Sequence, residues 1–206
     1  GLFITAAEVT TDADDHNQLM PMVRTAEEMT GRPAGATLAD GGYHSGKNLA
    51  ECEELKIKVV MAEAQGRMRE KPYHKDRFLY DAESDSYTCP EGQKLNFGGM
   101  KRRTGEEEVR VYHTSPQICR ACPAFGEGKC TKDERHGRML EVGPNEEALR
   151  RHRAFMETEE AKAIYQMRKE LPEPAFGIMK EEQGARRFLL RGLDNVRCEW
   201  QLLATA

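Results

Sequence analysis

The apolar positions change period several times along the chain, and each change predicts an element. The run over residues 2–9 reads as an extended strand. From residue 15 the spacing turns helical. Leu19, Met22, Val23, Ala26 and Met29 recur on one face, with Asp14 or Asp15 as the N-cap and Gly31 as the stop. After Pro33, Ala36-Thr37-Leu38-Ala39 reads as a short buried strand ending at Asp40, and Gly41-Gly42 turns the chain. Leu49, Cys52 and Leu55 mark a second helix, and residues 57–61 a third strand. Strand, helix, strand, helix, strand predicts α/β organisation with a mainly parallel sheet. In such sheets the functional crevice lies beyond the carboxyl ends of the strands, which is where Asp40 falls.

The pattern shifts after residue 64. A polar, basic stretch over residues 65–80 leads into short alternating segments: Phe78-Leu79-Tyr80, Tyr87-Thr88-Cys89, Leu95-Asn96-Phe97 and Glu108-Val109-Arg110-Val111-Tyr112. Turn signals at residues 81–86 and at Gly98-Gly99 separate them, which predicts a small antiparallel insertion. From Asn145 the period is helical to the end, broken once at Pro172 and Pro174, and the last helix carries Leu193, Val196, Trp200 and Leu203 on one face. Residues 1–64 and 145–206 are therefore expected to form the two parts of one core, with residues 65–144 inserted between them.

The 206 residues suffice for one domain with a real core, or for one domain with a sizeable insertion. The longest apolar runs, such as Lys58-Val59-Val60-Met61-Ala62, fall far short of the roughly 20 residues that span a bilayer. No basic segment followed by an apolar one opens the chain, so a cytoplasmic location is expected and no membrane partner. The chain starts inside an apolar run without Met and ends Leu202-Leu203-Ala204-Thr205-Ala206, which reads as a piece of a longer protein.

A formal net charge of -4 with 32% charged residues is not the basic excess that usually marks a nucleic-acid binder. The distribution changes the picture. Arg150, Arg151, Arg153, Arg168, Lys169, Lys180, Arg186, Arg187 and Arg191 cluster late, while Asp12, Asp14, Asp15, Glu51, Glu53 and Glu54 weight the front. A C-terminal surface that follows phosphates and a set of ordinary solvated helix faces both fit this pattern.

Two segments carry candidate chemistry. Asp40-Gly41-Gly42-Tyr43-His44-Ser45 places a carboxylate at a strand end, where it suits Mg²⁺, an oxygen-seeking ion that needs few protein ligands; an ordinary Asp-Gly turn is the alternative. In the second, Pro172 and Pro174 sit where a helix begins, so Glu173 falls in the first turn and Lys180 lies seven residues on along the same face. A first-turn Glu is also favoured by the helix dipole alone.

Together, in this order, the two segments resemble the catalytic core of DDE-class insertion-sequence transposases. Asp40, Gly42, Tyr43 and Ser45 match the family's Asp-x-Gly-Tyr-x-Ser segment, and Tyr165, Arg168, Glu173 and Lys180 match its Tyr-x-x-Arg, Glu, Lys signature. The tracts around Glu173-Pro-Ala-Phe-Gly-Ile-Met-Lys180 and Gly184-Ala-Arg-Arg-Phe-Leu-Leu-Arg-Gly-Leu193 are similar to one branch of that family.

The resemblance implies a ribonuclease-H-like mixed sheet with flanking helices, interrupted by the β insertion and lacking its first strands. It implies in-line cleavage and joining of phosphodiesters at transposon ends with Mg²⁺ or Mn²⁺, two ions about 4 Å apart serving the attacking and leaving oxygens. Asp40 and Glu173 would be the catalytic, metal-binding carboxylates, and Tyr165, Arg168 and Lys180 would hold DNA phosphates. The implied partners are double-stranded DNA, as transposon ends and target, and a second copy of the full-length protein; the implied location is the bacterial nucleoid.

Two departures stand out. The step from Arg168 to Glu173 is one residue longer than in the commonest signature. The family's first aspartate lies on the opening strand of its fold, upstream of anything matching residues 2–9, and is assigned to none of Asp12, Asp14 and Asp15. The chain alone is accordingly expected to be inactive, as a truncated remnant of an active parent would be.

Six cysteines in a reducing compartment point to metal or thiol chemistry. Cys89, the pair Cys119-Arg-Ala-Cys122, and Cys130 fall inside the insertion, where they form either a tetrahedral Zn²⁺ site or a set of reduced free thiols. His113 and His136 are near enough to substitute as ligands. A zinc ribbon that binds DNA or protein without catalysis is the competing function. Cys52 and Cys198 fall on apolar helix faces and are expected in the core.

Overall fold

The computed structural model describes residues 3–63, 70–102, 108–127, 129–169 and 172–205, with the backbone alone for 169 and 172–176. The helical period of the first segment becomes α1, Leu19–Thr30. Its N-cap is Gln18, which makes no side-chain cap bond, and not Asp14 or Asp15. Those aspartates serve the preceding loop: Asp14 accepts from the His16 N–H and Asp15 from the Tyr43 hydroxyl. Gly31 ends α1 as expected, at φ 67, its N–H on the Glu27 carbonyl.

The strand ending at Asp40 is β1, Thr37–Leu38, and it pairs in parallel with β2, Val59–Val60, in the register Thr37↔Val59 and Leu38↔Val60. Helix α2, Gly46–Glu54, is the crossover between them. Leu19, Met20 and Val23 of α1 pack with Leu49 and Cys52 of α2 and with Val59 and Met61 into one buried cluster. Fully burying Leu49 alone is worth about 1.5–3 kcal/mol.

The expected strand over residues 2–9 is not formed where it is described. Residues 3–11 carry no regular structure, and Phe3 is 86% exposed. A strand exists only through a neighbour to pair with, and among the described residues this segment has none. Among the described residues the parallel sheet thus has two strands where three were expected.

The chain divides into two units, residues 1–64 with 148–206, and residues 65–147. The second is built on an antiparallel meander. Strands β3 (Leu79–Asp81), β4 (Ser86–Thr88), β5 (Lys94–Arg102), β6 (Glu108–His113) and β7 (Met139–Val142) lie side by side in chain order. Their core is Phe78, Tyr87, Leu95, Tyr112 and Leu140. The Tyr87 and Tyr112 rings meet edge to face at 4.8 Å.

Gly98-Gly99, expected as a turn, lies inside β5. The chain keeps its direction and takes up the glycines as a bulge, with the register shifting between Phe97 and Gly99 and Gly99 at φ 132. Between β6 and β7 comes the short helix α3, Pro116–Arg120.

The remaining helices are α4 (Glu146–Met156), α5 (Glu159–Gln166), α6 (Pro172–Glu181) and α7 (Leu193–Thr205). Thr158 caps α5 through the Ala161 N–H at 3.2 Å. Arg151 of α4 grips Glu53 of α2 through two bonds, at 2.9 and 2.7 Å. Cys52 is buried as expected, but Cys198 is exposed on α7, because the apolar face of that helix turns the other way. No described helix is long and apolar enough to cross a membrane. The architecture is mixed α/β, parallel strands and helices in one unit and an antiparallel sheet in the other.

Candidate active site

The Asp40 turn is fixed from both sides. Asp40 follows β1 in extended conformation, and its Oδ1 accepts from the Gly41 N–H at 2.6 Å, which opens a single 3-10 turn, Gly41–Tyr43. Ser45 then caps α2 by accepting from the Asn48 N–H at 3.1 Å. Asn48 is buried, and its amide donates to the carbonyls of Tyr43 and His16, each at 2.9 Å. The Tyr43 hydroxyl donates to Asp15 at 2.9 Å, and the His16 ring bonds the Gly42 carbonyl. Burial, with Asp15 and then Asp40 beside it, pushes Tyr43 up to about 12, so it remains a hydroxyl donor.

The second motif reaches the same place. After α5 a 3-10 turn, Met167–Lys169, brings Arg168 toward β1. Its guanidinium contacts Asp40 Oδ1 at 3.1 Å and donates to the Tyr165 hydroxyl at 3.4 Å. Asp40 and Arg168 are 128 residues apart in sequence. Their side chains are 69% and 43% exposed, so the pair adds little stability. The Gly41 and Arg168 contacts both fall on Asp40 Oδ1, and the side chain is largely exposed.

Glu173 lies in the first turn of α6, behind Pro172; its side chain falls outside what is described. Lys180 is exposed in the last turn of the same helix. The structure therefore brings Asp40, Arg168 and Tyr165 together.

Sequence reasoning missed Asn48, Asp15 and His152. Polar Asn48 in an apolar helix period was the one readable signal; the others act through contacts made at long range. His152 of α4 is buried beside His44, ring centroids 5.4 Å apart. Burial, with His44 next, pushes His152 down to about 4. Neither of its ring nitrogens has a well-formed partner among the described residues, and the Val59 backbone gives its charged form only weak support.

In the other unit Cys89, Cys119, Cys122 and Cys130 line one small cavity, all as free thiols. His113 lies over Gly98 on the sheet and His136 pairs with Asp133 at 3.1 Å, so neither histidine belongs to the thiol group. Among the described residues no three His, Cys, Asp or Glu side chains form a ready-made metal centre.

A family model described as a transposase DDE domain matches residues 88–206, more than half of the chain. The match takes in the four cysteines, Tyr165, Arg168, Glu173 and Lys180; Asp40 lies before it. No curated protein and no solved structure matches the chain.

Proposed function

The chain belongs to the transposase DDE-domain family, and from that premise we propose that residues 1–64 and 145–206 are part of a ribonuclease-H-like catalytic core acting on DNA phosphodiesters, with residues 65–144 as its insertion. The observation that supports this most is the meeting of Asp40 with Arg168. Two segments that match one catalytic signature in sequence lie side by side in space, and the exposed ion pair between them adds little stability.

Asp40 fits a divalent metal. It offers a hard carboxylate oxygen, solvent-facing, at the carboxyl end of a parallel strand, on a backbone held by the Gly41 N–H and by Asn48. Glu173 would be the second carboxylate. Divalent ions held there supply charge stabilisation to the attacking and leaving oxygens of an in-line displacement.

Arg168 provides a rigid fork of donors beside Asp40, suited to a phosphate oxygen pair, and the Tyr165 hydroxyl orients that fork. Lys180 adds a mobile point charge one helix away, so double-stranded DNA is the expected partner. The third carboxylate is assigned to no residue of this sequence, and strand cleavage is expected only of a protein that supplies it. A homodimer is the expected working form, since two transposon ends are joined in one event.

The test needs no DNA. Iron(II) bound in place of magnesium, with peroxide and ascorbate, cuts a backbone next to the metal. The 206-residue chain is expected to be cut near residues 40 and 173, less so with excess Mg²⁺, and at neither place in Asp40→Asn or Glu173→Gln. Cuts elsewhere, or cuts that both variants retain, overturn the assignment. Magnesium-dependent nicking of plasmid DNA by the chain alone would refute the expected need for a third carboxylate.

A further inference from the structure

The four cysteines of the insertion come from three separate loops. Cys89 follows β4 directly, Cys119 lies in α3 and Cys122 just after it, and Cys130 sits in the loop before β7. Each loop is tightly turned. The Gly92 N–H returns to the Cys89 carbonyl at 2.8 Å, the Cys122 N–H to that of Cys119 at 3.1 Å, and the Cys130 N–H to that of Ala124 at 3.0 Å. Cys89 and Cys130 also pack against the Phe78, Tyr87, Leu95, Tyr112 and Leu140 core, which fixes one end of the arrangement.

The cavity that the four sulfurs share is about 30 Å³. That volume holds a single ion or water and is an order of magnitude below the roughly 300–1,000 Å³ of organic-ligand pockets.

The surroundings suit negative sulfur. The backbone N–H of Gln93 points at the Cys89 sulfur at 3.3 Å, and that of Arg138 at the Cys119 sulfur at 3.4 Å. Arg138 holds its guanidinium at the same cavity, over the Phe78 ring and on the Tyr73 carbonyl, and its Nε is buried without a hydrogen-bond partner among the described residues. Four neutral thiols give these N–H groups only weak acceptors and leave the Arg138 charge without a counterpart among them.

We infer that Cys89, Cys119, Cys122 and Cys130 close on one Zn²⁺ ion as a structural four-thiolate site, with the Gln93 and Arg138 N–H groups and the Arg138 guanidinium as its outer shell. Zinc is the metal whose chemistry this donor set selects, being bound by thiolates tetrahedrally at about 2.3 Å with no open position required. The exchange balances without any oxidant. Four S–H bonds break, four Zn–S bonds form, the ion loses its waters, and up to four protons pass to solvent. The resulting charge of minus two is what the two N–H···S contacts and Arg138 offset. The ion would join loops from three places on the meander, a fastening that a sheet of this size with short strands needs. This inference stands independently of the catalytic reading of Asp40 and Glu173.

The test uses the whole 206-residue chain, purified under reducing conditions without added chelator. Elemental analysis is expected to find one zinc per chain, and Cys119→Ser and Cys122→Ser to lose it while Cys198→Ser keeps it. Because those variants can fail to fold, a second measurement uses the unaltered chain. Zinc is stripped at low pH and cobalt(II) is added stoichiometrically, which is expected to give the intense thiolate-to-cobalt charge-transfer absorption and the visible bands of a tetrahedral site. Protein that carries no zinc and gives no such bands overturns the inference, and so does finding any two of the four cysteines joined as a disulfide in the purified protein.

Discussion

Replacing Asn48 with alanine tests whether the Asp40 turn is held in the way described. Asn48 is 4% exposed, and its amide is the donor shared by the Tyr43 and His16 carbonyls. Truncation removes both bonds and leaves both carbonyls short of a donor in a site with little room for water. At about 1–2 kcal/mol for each bond, less about 0.5 kcal/mol returned by the better helix propensity of alanine, the loss is about 1.5–3.5 kcal/mol. The Ser45 cap is untouched, because it uses the backbone N–H of residue 48. Trp200 is the only tryptophan and lies in α7 of the same unit, so its fluorescence during urea unfolding reports on this unit. With a slope of about 2 kcal/mol/M, the midpoint should fall by roughly 0.8–1.8 M and the slope should stay constant. A shift below about 0.3 M would refute the view that Asn48 holds the turn.

Three further outcomes follow from the same structure. Leu49→Ala, at a position 2% exposed in the α1 and α2 core, should cost about 2–5 kcal/mol in the same assay, whereas a loss under 1 kcal/mol would mean that the cluster is not tightly packed. His152 has a folded-state value of about 4, below the ordinary 6.5, so the unfolded chain takes up a proton that the folded chain refuses. Its effect on stability is therefore absent above pH 6.5 and grows destabilising as pH falls toward 4, to a total on the order of 3 kcal/mol. His44, Glu53 and Glu63 face it, and a difference in midpoint between the parent chain and His152→Leu that does not change between pH 7.5 and 4.5 would rule the effect out. Gly137 sits at φ 69, with Cys119 Sγ 2.9 Å from where a β-carbon would stand, so Gly137→Ala should lower zinc content and the thermal midpoint together; unchanged content would place Cys119 outside the ligand set.

The local elements were legible where one period or one turn residue decides the outcome. The apolar spacing of residues 19–30 and the glycine after it define α1 and its end, and the apolar face of Leu49 and Cys52 marks α2. The alternation around Tyr87, Leu95 and Val109 marks strands β4 to β6. Strand β7 was not legible, since Met139-Leu140-Glu141-Val142 becomes a strand only through pairing with β6, and Gly98-Gly99 looks like a turn until pairing with β6 on either side holds it within a strand.

The family was legible in residue type and order alone, and the same resemblance offered Asp40, Tyr165, Arg168, Glu173 and Lys180 as candidates for its chemistry. The sequence by itself also determined that four thiols lie in one insertion. Only the tertiary structure decided what those residues touch. It placed Arg168 on Asp40 across 128 residues, put Asn48 beneath the turn, separated His113 and His136 from the cysteines, and left residues 3–11 without a strand partner among the described residues. The physical reason is the same in each case. A helix period or a cap is satisfied within a few residues, whereas a long-range contact exists only once the elements have packed, and packing is a property of the whole set of neighbours.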